Sequence, residues 1–295
     1  MASRRNLKGF AKLMRLSNLP TCLANVLTGA AIGMRFGDIS LVKIAAVAFA
    51  VCCYYCGGMI LNDLCDIGYD RKHRSDRPLA AGTVSFQAAL ILTLLMFAAA
   101  TGIIIFTASH AISPAVALLG CIVLYDVIHK KNSFSVILMG LCRSLVYVTA
   151  AVAVAAGQNS FAAVKFSLPF AILLGFYTLS ITIIARCEDN GKLDFRKWLS
   201  IMMPLAMFII IFVVRPRQIL YAVIVAAIFA GWMLRGCGYV FSKPPKIKHA
   251  VLTWLSGMCL VDMWFLTVLD RPLFAIVAFA CFLITFDGHK RISGT

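Results

Sequence analysis

The chain has 295 residues, 61% of them hydrophobic and only 14% charged, with a mean hydropathy of +0.90. That balance excludes a soluble globular domain and implies a polytopic membrane protein. The net charge of +16 would point to nucleic acid in a soluble chain, but here Lys and Arg that orient the spans account for it, so no nucleic-acid partner is expected.

The basic segment 1–17 leads into an apolar run that lacks a small-residue cleavage site, so it reads as no removable signal peptide. Ten apolar stretches follow, at 18–36, 41–61, 87–107, 110–128, 135–157, 161–185, 199–214, 218–238, 250–269 and 272–287. Several reach the ~20 residues a helix needs to cross the hydrocarbon core. The seventh and tenth are short, so one pair is expected not to span fully. None alternates apolar and polar residues, which excludes a strand barrel. The expected fold class is therefore all-α, a transmembrane bundle of nine to ten helices. In the first stretch, Gly29 and Gly33 form a GxxxG step suited to packing, and Asn25 suits an interhelical hydrogen bond. Eleven cysteines are scattered, and Cys52, Cys53 and Cys56 read as packing residues rather than as metal ligands.

Charge tests the span count. With Met1 in the cytoplasm, the inner segments 1–17, 62–86, 129–134, 186–198, 235–249 and the tail from 288 hold 21 of the 28 Lys and Arg. That asymmetry supports ten spans with both termini cytoplasmic, and a bacterial inner membrane is the expected location. It also puts the segments 62–86, 129–134 and 186–198 on one face.

The segment following the second stretch, NDLCDIGYDRKHRSDRPLAAG (62–82), concentrates charge. Asp63, Asp66 and Asp70 are spaced i, i+3, i+7, so a continuing helix puts them on one face, with Asn62 one turn before Asp66. Like charges this close repel unless a cation sits among them, and hard oxygen ligands suit Mg²⁺, which shares its shell with phosphates. Arg71, Lys72, Arg74 and Arg77 supply positive charge for the same anion. The physical reading is a Mg²⁺–diphosphate site; the competing reading is a solvated loop of mixed charge. A second set, Glu188, Asp189 and Asp194 with Arg186, Lys192, Arg196 and Lys197, would flank the same anion if it faces the first, and a plain charged loop competes equally. Tyr125, Asp126, His129, Lys130 and Lys131 suit either a phosphate or anchoring at the membrane boundary. Arg143 falls near mid-span, where an arginine costs about 2.5–3.5 kcal/mol on insertion scales, so it should face the bundle interior and meet an anion. Asp262 is a weaker case of the same kind.

Asn62-Asp63-x-x-Asp66-x-x-x-Asp70, with Arg77-Pro78-Leu79 and Gly82 after it, resembles the first signature of the UbiA superfamily of intramembrane prenyltransferases. Tyr125 and Lys130 look like the family's Tyr…Lys element after the fourth span. The segment 186–194 falls where the second Asp-rich motif belongs, but a regular DxxxD is absent. MGLCRSL at 139–145 and ARCEDNG at 185–191 look closer to the EboC-like branch. A tenth stretch is a further departure, since the family commonly has nine helices.

The resemblance implies one transmembrane prenyltransferase domain over 1–295, with a lipid-open cavity capped by the loops 62–86 and 186–198. An isoprenyl diphosphate would ionise there, and a small, typically aromatic acceptor would attack the allylic cation. By motif position, Asn62, Asp63, Asp66 and Asp70 would hold a first Mg²⁺, and Glu188 and Asp189 a second. Asn25, Arg71, Arg77, Tyr125, Lys130, Arg143, Arg186 and Lys192 would contact substrate. Asp63, Asp66, Asp70, Lys130, Arg143 and Tyr147 would carry the chemistry. Tyr54, Tyr55, Tyr147 and Tyr177 would offer ring faces to the cation, although core packing explains these four as well. A terpene cyclase using the same ionising site is one rival, and a transporter or lipid-binding protein is another. No protein partner is evident.

Overall fold

A computed structural model describes residues 9–129, 132, 134–190 and 194–291, apart from the side chains of 189, 190 and 291. Among the described residues there is no strand, and every apolar stretch of the sequence holds a helix. These are α1 (Leu19–Gly33), α2 (Leu41–His73), α3 (Phe86–Ala108), α4 (Ile112–Ile128), α5 (Ser135–Val154), α6 (Ser160–Ala185), α7 (Leu199–Met207), α8 (Ile219–Val240), α9 (Ile247–Val268) and α10 (Pro272–Arg291). Eight helical runs are long and apolar enough to cross a membrane. One of them, 86–128, is broken into α3 and α4 by the 3-10 turn Ser109–Ala111. The chain is thus an integral, multi-pass membrane protein.

The seventh stretch is short as expected, because α7 ends at Met207 and gives way to the 3-10 turn Phe208–Phe212. The tenth is not: α10 runs through Asp287 and Lys290 to Arg291, since polar residues beyond the apolar window extend a helix as readily as apolar ones. The same reason corrects the boundary at 61. The segment 62–86 is not a loop throughout; its first twelve residues are the last three turns of α2. At 33 residues α2 is about 50 Å long, which exceeds the ~30 Å hydrocarbon core and carries its carboxylates to the membrane boundary. The Ser40 hydroxyl caps its start by accepting from Lys43 N at 3.3 Å, and Arg71, Lys72 and His73 complement the dipole in its last turn.

Helices α1 and α9 are the axis of the bundle, each buried along most of its length. Around this axis α2, α3 and α4 pack on one flank and α6, α7, α8 and α10 on the other, with α5 bridging both. The α1–α5 contact is close because of the GxxxG step. A Cβ on Gly29 would stand 2.7 Å from Tyr147 O, and one on Gly33 would stand 2.3 Å from Ala151 O. Leu90, Leu94 and Phe106 on α3 and Leu220 on α8 point outward, as a lipid-facing surface requires.

Candidate functional site

At the end of α2, Asp63, Asp66 and Asp70 are turned inward and only 5%, 7% and 3% exposed. Their i, i+3, i+7 spacing does put them on one buried face, because α2 continues as a helix through all three. The turn after α2 brings a cation back onto that face. Leu79 and Val84 anchor the turn in a small apolar cluster with Leu13, Ile60 and Leu64. Gly82 makes the reversal with φ +68, a conformation that glycine adopts without strain. Arg77 Nη1 then donates to Asp63 Oδ1 at 3.1 Å and to Asp70 Oδ2 at 2.8 Å. From the segment before α1, Arg15 Nη2 lies 3.7 Å from Asp63 Oδ1.

The end of α4 closes the chamber. His129 Nε2 lies 3.4 Å from Asp66 Oδ1, and its ring stacks on Tyr125 at 5.3 Å between centroids. Hydrogen bonding to Asp66 raises the pKa of His129 above its ordinary value, against the opposing effect of burial. Asn62 Nδ2 donates to Asp126 Oδ1 at 3.1 Å. Arg186 Nη2 donates to Ser135 Oγ at 2.8 Å, at the edge of the same chamber.

A cavity of about 210 Å³ opens from the chamber into the bundle. Arg15, Asn18, Tyr125 and Asp126 line its mouth, and Val51, Tyr54, Leu118, Ile122, Val146 and Met258 line its body. Arg143 stands on the wall. Its Nη1 donates to Asn25 Oδ1 at 2.9 Å and to Cys22 Sγ at 3.4 Å, and its Nη2 donates to Thr21 Oγ1 at 3.2 Å. The guanidinium also lies 5.8 Å from the Tyr55 ring centre. The expected anion is reached at one remove, since Asn25 Nδ2 donates to Asp262 Oδ2 at 2.7 Å. Thr28 and Tyr147 donate their hydroxyls to Asp262 Oδ1 at 2.7 and 2.6 Å.

The structure therefore gathers Asn62, Asp63, Asp66, Asp70 and Arg77 in the chamber and sets Tyr125 and Arg143 on the cavity wall. Other expected residues lie elsewhere. Tyr147 does not face the cavity; its hydroxyl holds Asp262 in the core, because it projects toward α1 and α9. Tyr177 likewise spends its hydroxyl on Trp254 O at 2.7 Å, which leaves Tyr54 and Tyr55 as the cavity tyrosines beside Tyr125. Asn25 acts behind Arg143. Arg71 is exposed on the outer side of α2, and Glu188 is exposed on the short helix Cys187–Asn190. Lys130, Lys192 and the Asp189 side chain lie outside the described residues. Arg15 is not singled out by the sequence, since one basic residue among five carries no distinguishing spacing, and Asp126 is legible there only as one of the boundary group 125–131.

The donor set suits a hard divalent cation. Asp63, Asp66 and Asp70 offer carboxylate oxygens and Asn62 an amide oxygen, all on one face. The Arg77 guanidinium bridging Asp63 and Asp70 shows that this face accepts positive charge. Among the described residues, no three His, Cys, Asp or Glu side chains already converge as a ready metal cage. Mg²⁺ would then share these oxygens with Arg77 and complete its shell from water and phosphate, as it commonly does.

Fold and site define a class: a polytopic helical membrane protein with carboxylates and cations gathered at the mouth of an apolar cavity. Residues 22–256 match the UbiA prenyltransferase family, and the chain belongs to it. It is 31% identical over 186 residues to the digeranylgeranylglyceryl phosphate synthase of Methanococcus aeolicus, a match covering 62% of this chain and 63% of that protein. Among solved structures, a digeranylgeranylglyceryl phosphate synthase superposes with a TM-score of 0.64 at 18% identity, over 90% of this chain and 99% of that one. A UbiA homolog from Archaeoglobus fulgidus bound to GPP and Mg²⁺ gives 0.66 at 14% identity, over 93% and 99%. At these identities the two structures speak to the fold alone.

Proposed function

We propose that the chain is a Mg²⁺-dependent intramembrane prenyltransferase, which ionises an isoprenyl diphosphate and transfers the prenyl group to a small acceptor. The observation that carries this is the buried carboxylate face of α2, bridged by Arg77, at the mouth of an apolar cavity. Asn62, Asp63, Asp66 and Asp70 would hold Mg²⁺, which would supply charge neutralisation for the diphosphate. Arg77 and Arg15 present N–H donors to the diphosphate oxygens and oppose the charge that grows as the C–O bond breaks and its electron pair leaves with the diphosphate. The apolar wall keeps water from the allylic cation, and the rings of Tyr54 and Tyr55, which line the cavity, would help to stabilise it. The acceptor attacks the cation and then loses a proton.

Arg143 bears on the acceptor. Among the described residues that line the cavity, it is the cationic side chain besides Arg15 at the mouth, and the side chains it donates to, Cys22, Asn25 and Thr21, are neutral. It suits an acceptor with an anionic group, such as an aromatic carboxylate or the glyceryl phosphate in the names of the relatives. The chamber is proposed to face the cytoplasm, on the strength of the Lys and Arg asymmetry.

The test is product analysis. Purified protein in detergent, given Mg²⁺ and labelled prenyl diphosphates, should form a linear prenyl conjugate with an anionic aromatic or glyceryl phosphate acceptor. A cyclic hydrocarbon formed without any acceptor would overturn the transferase reading in favour of a cyclase.

A further inference from the structure

Asp126 has no role in the site as derived so far. We propose that it is a further carboxylate of the cation site, bringing a hard oxygen from α4 to the set that α2 presents; this rests on the Mg²⁺–diphosphate reading above.

Three observations meet at this residue. Asp126 is 3% exposed, and its Oδ2 is buried without a hydrogen-bond partner. A buried carboxylate oxygen left in that state is unfavourable and requires an explanation in the chemistry of the site. Secondly, Asp126 Oδ1 accepts from Asn62 Nδ2 at 3.1 Å. In its ionised form, the form that binds a cation, the Asp126 carboxylate only accepts, so the amide nitrogen faces it and the Asn62 oxygen is turned to the other side. Asp126 therefore fixes the orientation in which Asn62 can serve as an oxygen ligand.

Thirdly, the fixed cations are already committed. Arg77 pairs with Asp63 and Asp70, Arg15 with Asp63, and His129 with Asp66. Among the described residues no cation lies within ion-pair distance of the Asp126 carboxylate. His129 ties α4 to this face: its Nε2 meets Asp66, while its Nδ1 lies 3.1 Å from the backbone oxygen of Asp126 on the preceding turn. A hard divalent cation with oxygen ligands is the partner that these carboxylates share. Asp126 also stands on a rigid helix facing α2, whereas Glu188 of the second acidic segment is exposed.

The test uses Mn²⁺, visible by electron paramagnetic resonance, in place of Mg²⁺. The full chain in detergent with inorganic diphosphate is titrated as parent, Asp126→Asn, Asp126→Glu and Asp66→Ala. Asp126→Asn keeps the size of the side chain and an acceptor for Asn62, and should weaken Mn²⁺ binding by about tenfold or more. Binding by a folded Asp126→Asn protein within about twofold of the parent would overturn the inference. If Asp126→Asn does not fold, Asp126→Glu decides, because moving the oxygen by one methylene should also weaken binding and unchanged binding would overturn the inference. Loss in Asp66→Ala alone removes the role of Asp126 and leaves the cation site standing. A parent that binds no Mn²⁺ overturns both.

Discussion

Asp262→Ala isolates the network behind Arg143. Asp262 is fully buried and accepts from Asn25, Thr28 and Tyr147 at 2.7, 2.7 and 2.6 Å, so its removal strands three donors in the interior. Interhelical side-chain hydrogen bonds in membrane bundles average ~0.6 kcal/mol and reach ~1.7, so three together give a loss of about 2–5 kcal/mol. Asp262→Asn keeps one oxygen and should lose roughly half of that. Unfolding in mixed detergent–dodecyl sulfate micelles measures both. Asn25→Ala combined with Asp262→Ala should fall short of additivity by roughly 0.5–1.5 kcal/mol, because the two residues share a bond. If Asp262→Ala unfolds within about 0.5 kcal/mol of the parent, the network does not clamp α1, α5 and α9 together, and the account of how Arg143 is held is wrong.

Arg77→Ala removes the guanidinium between Asp63 and Asp70 and leaves two buried carboxylates without it. Mg²⁺ should therefore raise the Tm of this variant more than that of the parent; an equal or smaller rise contradicts the reading of this face as a cation site. Gly33→Ala drives a Cβ into Ala151 O at 2.3 Å, so expression of folded protein should collapse, whereas Gly102→Ala, with nothing within 4 Å, should be neutral. Size-exclusion profiles of the two variants separate these outcomes. Arg143→Gln keeps a donor for Asn25 but loses the charge, and should raise the acceptor KM by roughly tenfold or more with diphosphate release little changed, whereas an effect on release alone would place Arg143 on the diphosphate instead.

What the sequence reveals and what it hides divide along physical lines. The helices are legible because each needs a long apolar run, and the face shared by Asp63, Asp66 and Asp70 follows from helical periodicity once α2 is seen to continue. The end of α2 at His73 was hidden, since hydropathy reports burial in lipid and not helix propagation. The need of Arg143 for an anion is legible from insertion energetics and Asn25 is legible as an interhelical hydrogen bond, but that Asn25 stands between Arg143 and Asp262 is not, because it depends on how α1 and α9 come together around α5. Tyr147 shows the same limit. The resemblance offers it as a ring face for the cation beside an equal reading as core, and only the rotation of α5, which sends its hydroxyl to Asp262, separates the two.

The central claim is that the α2 carboxylates build a site that ionises a prenyl diphosphate. The most direct measurement is diphosphate release by the purified protein with Mg²⁺ and geranyl, farnesyl or geranylgeranyl diphosphate, beside Asp66→Ala. The account predicts release that needs Mg²⁺ and that falls by about a hundredfold or more in the variant. Release that is unchanged by the substitution, or a parent that binds none of the three diphosphates, would contradict it.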